Sequence, residues 1–149
     1  RLYSLDLEGK SYLQIAPDGV DTFIGEMPIS PDGKFVAAQG GSMASVTFQL
    51  FPTDGGGPQT VPGLEKDDVV IRWADDGHTL FVFKRNQLPA HVFRLDVATG
   101  RRTPWLELMP ADPAGVTRIP LIAMTPDGRS YAYSFTRELS DLYLIRGLK

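Results

Sequence analysis

One five-residue pattern, written three times, limits what this chain can fold into more than anything else in it. The copies are Ser30-Pro31-Asp32-Gly33-Lys34, Ala74-Asp75-Asp76-Gly77-His78 and Thr125-Pro126-Asp127-Gly128-Arg129, with Pro31, Asp75 and Pro126 spaced 44 and 51 apart. Each lies between short apolar stretches; those that follow are Phe35-Val36-Ala37-Ala38, Leu80-Phe81-Val82-Phe83 and Tyr131-Ala132-Tyr133. Pro presets φ for the first central position of a type I turn, and Asp suits the second. Gly then takes the left-handed conformation that closes a hairpin. Three acidic loops also offer oxygen ligands to a cation, but turn chemistry accounts for every residue of the pattern and is preferred.

A second repeat runs out of phase with the first. Its members are Leu2-Tyr3-Ser4-Leu5-Asp6-Leu7, Thr47-Phe48-Gln49-Leu50-Phe51, Val92-Phe93-Arg94-Leu95-Asp96-Val97 and Leu142-Tyr143-Leu144-Ile145. The aromatic positions Tyr3, Phe48, Phe93 and Tyr143 are 45, 45 and 50 apart, and turn glycines follow at Gly9, Gly55 to Gly57, Gly100 and Gly147. Apolar and polar residues alternate around Asp6 and Asp96, the period of a half-buried strand.

Two markers sharing one period of about 45 residues define a repeat, and a unit of that length with four short strands is a β-propeller blade. The expected fold is therefore all-β: a partial β-propeller of about three to four four-stranded antiparallel blades within one segment, 1–149. Residues 1–15 supply the outer two strands of an incomplete blade, 27–63 and 69–108 form complete blades, and 118–147 form a blade lacking its last strand. That makes thirteen strands. Helix signals are nearly absent: Thr136-Arg137-Glu138-Leu139 is compatible with one helical turn, but its position fits the loop after the second strand of the last blade. With Gly 15 and Pro 12 in 149 residues, turn formers reach nearly a fifth of the chain, against an ordinary share near 12%.

Composition removes several function classes. Lys plus Arg is 15 against 18 Asp plus Glu, a formal charge of -3, which disfavours non-specific binding to nucleic acid or anionic membranes. No run approaches 18 apolar residues, so no direct membrane insertion is expected. The absence of Cys excludes disulfides and thiolate metal sites. The chain opens with Arg1 inside an apparent strand, and it reads as a piece of a longer protein.

Motifs with catalytic overtones do not hold up. Gly9-Lys10-Ser11 resembles the end of a P-loop, but Ser4 stands where the earlier Gly belongs and the context is strand–turn–strand. Gly40-Gly41-Ser42-Met43-Ala44 resembles a nucleophile elbow without its final Gly. A triad or a zinc site would have to use His78 in a turn or His91 at a strand start, both of which read as solvated. Asp67 and Asp68 in Glu65-Lys66-Asp67-Asp68 are calcium-ligand types without further ligand spacing. Trp73 and Trp105 read as packing residues between blades, with sugar stacking the other option for one of them. No catalytic, cofactor or metal residue is expected.

The string Ile29 to Ala38, together with Val92 to Arg101 and Met124 to Tyr133, resembles the repeat of TolB-type, WD-like bacterial propellers. Asn86-Gln87-Leu88-Pro89-Ala90, Trp105 to Val116 and Leu142 to Lys149 are similar to the C-terminal end of certain bacterial serine/threonine protein kinases. Asp75-Asp76 departs from the repeat where Pro-Asp is usual, and so does Phe51-Pro52 where an Asp is usual. Kinase motifs themselves are absent from this stretch. The resemblance implies a non-catalytic sensor or protein-interaction segment of a membrane-anchored parent, on its extracytoplasmic side, with the cytoplasm left open. Two other settings stay in view: a TolB-like periplasmic scaffold and the gating propeller of a prolyl-oligopeptidase-type peptidase.

On a propeller the loops before the first strand of a blade and after its second share one face. The connection from Met109 to Pro120 is longer than its counterpart from Val61 to Asp68, and insertions in a tight repeat tend to carry binding. The candidate site for a protein or small ligand is therefore Asp67, Asp68, Arg85, Asn86, Arg118, Arg137 and Glu138. The incomplete first and last blades also imply a two-fold dimer in which each last blade completes itself on the partner's residues 1–15.

Overall fold

The computed structural model of the chain describes residues 1–9, 11–20, 29–42 and 45–140. Among them are eleven β-strands and no helix. The strands are β1 (Leu2–Leu5), β2 (Tyr12–Ala16), β3 (Phe35–Ser42), β4 (Ser45–Pro52), β5 (Gln59–Thr60), β6 (Asp68–Trp73), β7 (Thr79–Lys84), β8 (Ala90–Asp96), β9 (Arg102–Leu108), β10 (Val116–Met124) and β11 (Tyr131–Arg137). They form four antiparallel sheets in chain order: β1-β2, β3-β4-β5, β6-β7-β8-β9 and β10-β11.

The three Asp-Gly patterns make the same turn. In the third, Thr125 N–H donates to the Ser130 carbonyl (2.8 Å), Gly128 N–H to the Thr125 carbonyl (2.9 Å), and Asp127 accepts from the Arg129 N–H (3.0 Å). The first repeats this with Ser30 to Phe35 (2.8 Å), Gly33 to Ser30 (2.8 Å) and Lys34 to Asp32 (3.1 Å). The second repeats it with Ala74 to Thr79 (2.8 Å), Gly77 to Ala74 (3.3 Å) and His78 to Asp76 (3.0 Å). Gly33, Gly77 and Gly128 have φ of 74°, 74° and 70°, the left-handed region that glycine enters at least cost.

One expectation needs correction. Thr136 and Arg137, expected in the loop after the second strand of the last blade, instead finish strand β11, paired with Arg118 and Val116 of β10. Of the first strand expected for the second unit, only the part from Ile29 onward lies among the described residues, and there Ile29 bridges Val36. The strand expected at 142–145 lies outside the described residues. The outer strand of the second sheet, β5, has only two residues. Pro58 and Pro62 flank it, and proline cannot donate to a ladder.

Packing follows from strand alternation. Along β7, Leu80 and Val82 point one way and Phe81 and Phe83 the other, and all four are buried. Each interior sheet is thus apolar on both faces and lies between two neighbours. One cluster joins Ile15, Ala16 and Val20 to Val36, Ala38 and Phe51. A second joins Ala37 and Leu50 to Trp73, Leu80, Val82 and Leu95. A third joins Val69, Ile71, Phe81, Phe83 and Val92 to Ile119, Ile122 and Met124. Burying each large side chain contributes about 1.5–3 kcal/mol. A register shift between Val70 and Arg72 inserts one extra residue. It flips the pleat, so that Ile71 enters the third cluster while Trp73 enters the second.

The candidate loop-end site

The candidate residues divide into two groups at strand ends. Asp68 pairs with Lys84, so Asp67 and Asp68 at the head of β6 sit beside Arg85 and Asn86 after β7. Val116 pairs with Arg137, so Arg118, Arg137 and Glu138 gather at the head of β10 and the tail of β11. At the opposite ends of these sheets, Arg72 Nη1 donates to the Met124 carbonyl (2.7 Å) and Asp75 N–H to the Pro126 carbonyl (3.1 Å). Strands β6 and β10 therefore finish side by side and run in the same direction. Their starting loops lie at one common end of the two sheets.

The first group is held rigidly. Asp67 and Asn86 have φ of 69° and 61°, a region that Asp and Asn enter more readily than other residues with a side chain. Arg85 N–H donates to the Asp67 carbonyl at 2.8 Å, tying the two loops together. Asp68 is not a loop residue. Its side chain is 1% exposed and forms a two-pronged ion pair with Arg102 (2.9 and 3.2 Å) while accepting the Glu65 N–H (2.7 Å). Its carboxylate is committed to holding β6 against β9, so Asp68 is withdrawn from the ligand-facing set.

Arg102 continues outward from that pair. Its guanidinium lies 4.7 Å from the centre of the Phe93 ring and 3.8 Å from Glu65, which in turn bonds Lys84 at 2.7 Å. The hydrogen bond from Lys84, its charge and that of Arg102 hold the Glu65 carboxyl below the usual range. The same hydrogen bond raises Lys84.

In the second group, Arg137 bonds both the carboxylate (3.0 Å) and the carbonyl of Asp112, in the long connection before β10, and lies 5.6 Å from the Phe135 ring centre. Its Nε is buried with no hydrogen-bond partner among the described residues. Arg118 Nε donates to Thr136 Oγ1 (3.2 Å), and Glu138 N–H to the Gly115 carbonyl (2.9 Å). What the loop end presents is a mixed rim: the Asp67 and Glu138 carboxylates, the Asn86 amide and the Arg118 guanidinium are not buried. Such a rim hydrogen-bonds and pairs charges.

The remaining motifs fall elsewhere. His78 contacts Asp76 in its turn, its Nδ1 3.0 Å from the Asp76 carbonyl oxygen, and His91 on β8 lies 3.5 Å from Glu107. Among the described residues no three His, Cys, Asp or Glu side chains gather in a way that would hold a metal ion. Gly40 to Ser42 belong to strand β3, not to a strand–turn–helix elbow. Trp73 is buried between sheets.

Trp105, read from the sequence as a packing residue between blades, is 40% exposed and rests from its edge strand against the turn of the next sheet. The register shift between Val92 and Phe93 leaves Trp105 out of the ladder beside Pro104 on the edge strand. Its indole then sits 5.8 Å from the Phe81 ring and 5.3 Å from the Arg94 guanidinium, which also bonds Asp76 at 2.7 Å. The sequence signal was a Pro-Trp pair within a strand otherwise of ordinary β residues.

No family model matches the chain, and no curated protein is similar to it at a significant level.

Proposed function

We propose that this chain is part of a β-propeller, a partial ring of three to four blades, and serves as a non-catalytic sensor or protein-interaction segment. In this reading the parent is a bacterial serine/threonine protein kinase of the TolB-like propeller type, with this segment on the extracytoplasmic side. The observation that carries the propeller part is the repetition of one hairpin turn, hydrogen bond for hydrogen bond, at the ends of successive sheets that pack face to face. The kinase setting rests on the resemblance of the strings from Asn86, Trp105 and Leu142. The binding end is the rim of Asp67, Asn86, Arg118 and Glu138, with Arg85 and Arg137 beside it, and its chemistry suits a polar small molecule or a protein loop with both charge signs.

The test is a thermal-shift screen of metabolites and short peptides against the chain, repeated on Arg118→Ala and Asn86→Ala. A ligand that raises the melting temperature of the wild type and loses its effect in those variants supports the reading. A ligand whose shift is unchanged in both variants places binding elsewhere and overturns the assignment of the rim.

A further inference from the structure

The hairpin-turn end of the sheets carries the same cleft twice. Phe35 pairs with Pro52 in the three-stranded sheet, and Thr79 pairs with Asp96 in the four-stranded one. The two pairs are 44 residues apart, as are the turn glycines Gly33 and Gly77. A cleft of about 500 Å³ opens beside the first pair and reaches Lys34, Gly57 and Gln59. One of about 290 Å³ opens beside the second pair, lined by Thr79, Arg94, Asp96, Arg101 and Thr103. The equivalent positions differ in chemistry. Where the first unit has Phe35, Gly57 and Gln59, the second has Thr79, Arg101 and Thr103. Leu50, buried in the second apolar cluster, stands in the place of Arg94. The repeat therefore builds this cleft without any arginine, and the fold does not account for the two found in its second copy.

Those arginines bring hydrogen-bond donors that the chain leaves open. The Arg94 guanidinium lies 5.9 Å from the Phe81 ring centre and 5.3 Å from that of Trp105, and its Nη2 donates to Asp76 at 2.7 Å. A guanidinium has five N–H groups, and the other four meet no acceptor among the described residues. Neither the Arg101 side chain nor the Thr103 hydroxyl has a partner among them. The nearby carboxylates are engaged at their own turns. Asp76 accepts the His78 and Thr79 N–H groups (3.0 and 2.8 Å) besides Arg94. Asp96 Oδ1 accepts the Ala98 and Thr99 N–H groups (3.2 and 2.8 Å) and the Thr99 hydroxyl (2.7 Å). We infer that this cleft binds the oxyanion of a small ligand, a carboxylate or a phosphate group, through Arg94, Arg101 and Thr103. Both groups offer paired oxygens that a guanidinium fork matches. Arg94, already fixed by two rings and a carboxylate, loses little freedom on binding. The cleft lies at the opposite end of the sheets from the rim of Asp67, Asn86, Arg118 and Glu138, and does not depend on what that rim binds.

Calorimetric titration of the chain with inorganic phosphate and, separately, with citrate tests this at a constant ionic strength set with sodium chloride. The variants are Arg101→Gln and, at the sister cleft, Lys34→Gln, which removes the same charge. Both positions are exposed, so circular dichroism and a cooperative melt serve to show that the variants fold. The wild type is expected to bind at least one of the two anions saturably. Arg101→Gln weakens that binding about tenfold or more, and Lys34→Gln binds as the wild type does. Preference for phosphate assigns a phosphoryl ligand, and preference for citrate a carboxylate one. A wild type that binds neither anion saturably overturns the inference. Binding unchanged in Arg101→Gln overturns it as well, and so does equal weakening in both variants, which would trace the effect to overall charge instead of the cleft.

Discussion

Trp105 Nε1 donates to the Gly128 carbonyl at 3.3 Å, so the edge strand of the four-stranded sheet grips the hairpin turn of the sheet that follows. The seat is tight: a Cβ on Gly128 would lie 2.8 Å from Phe81 Cζ and 2.8 Å from Trp105 Nε1. The turn thus has two reasons for its glycine, a φ of 70° and the aromatic notch.

The contrast with Gly77 separates those reasons. Gly77 has φ of 74°, and a Cβ placed on it would meet no atom within 4 Å. Gly77→Ala is expected to cost about 1–2 kcal/mol, the left-handed penalty alone. Gly128→Ala adds the displacement of two rings and is expected to cost about 1 kcal/mol more. Urea unfolding of the two variants beside wild type measures the difference; equal losses would mean that the notch yields freely.

The buried ion pair gives a second expectation. Removing Arg102 strands a carboxylate that is 1% exposed. Arg102→Met should therefore destabilise by about 3–5 kcal/mol. The double variant Asp68→Leu with Arg102→Met should recover most of that loss, since an apolar pair of similar volume replaces both charges. Denaturant midpoints for the single and double variants decide it.

The turn aspartates make stability depend on pH. The Thr125 hydroxyl, bonding Asp127 at 2.5 Å, and the Arg129 N–H hold the Asp127 carboxyl below its ordinary value. The Ser30 hydroxyl (2.6 Å) and the Thr99 hydroxyl (2.7 Å) do the same for Asp32 and Asp96. At Asp76 burial opposes the charge, but bonds from the Thr79 side chain and from the His78 and Thr79 N–H groups outweigh it and lower the pKa. A carboxyl with a lowered folded-state pKa stabilises the fold above its unfolded value, near 3.9, and loses that contribution as pH falls through the folded value. Stability should therefore fall steadily below about pH 4. In an NMR titration the Asp127 midpoint should rise in Thr125→Val; an unmoved midpoint would remove the hydroxyl as its cause.

Core truncation tests the two-faced sheet. Phe81 is 1% exposed and belongs to the cluster that joins β6-β9 to β10-β11. Phe81→Ala is expected to cost about 3–5 kcal/mol and to expose tryptophan, since Trp105 rests on that ring. The change should be visible as a red shift in fluorescence.

How much of this could be read from the sequence depended on distance along the chain. The three turns were legible because Asp32, Asp76 and Asp127 bond N–H groups two residues ahead. The all-β class followed from them and from the alternation around Asp96. Asp68 was misjudged as a loop ligand because its partner, Arg102, lies 34 positions away, and nothing local marks the pair. The bulges that aim Trp73 and Trp105 were equally hidden, since they depend on cross-strand register. Of the candidate rim, the topology brought Asp67 to Arg85 and Arg118 to Thr136. The bond between Arg137 and Asp112 depends on how the long connection folds back over 25 positions.

The common loop end exists only if β6 and β10 run side by side in one direction, because that alone brings both loop groups together. Disulfide trapping measures it cleanly in a chain with no native cysteine. The pair Asp75→Cys with Pro126→Cys sits at positions already joined by a 3.1 Å backbone hydrogen bond, within the span a disulfide needs. The predicted result is rapid intramolecular cross-linking of that pair under mild oxidation and none for the control pair Asp75→Cys with Val116→Cys. Cross-linking of the control pair instead would mean that the two strands run in opposite directions, and the common loop end would be lost.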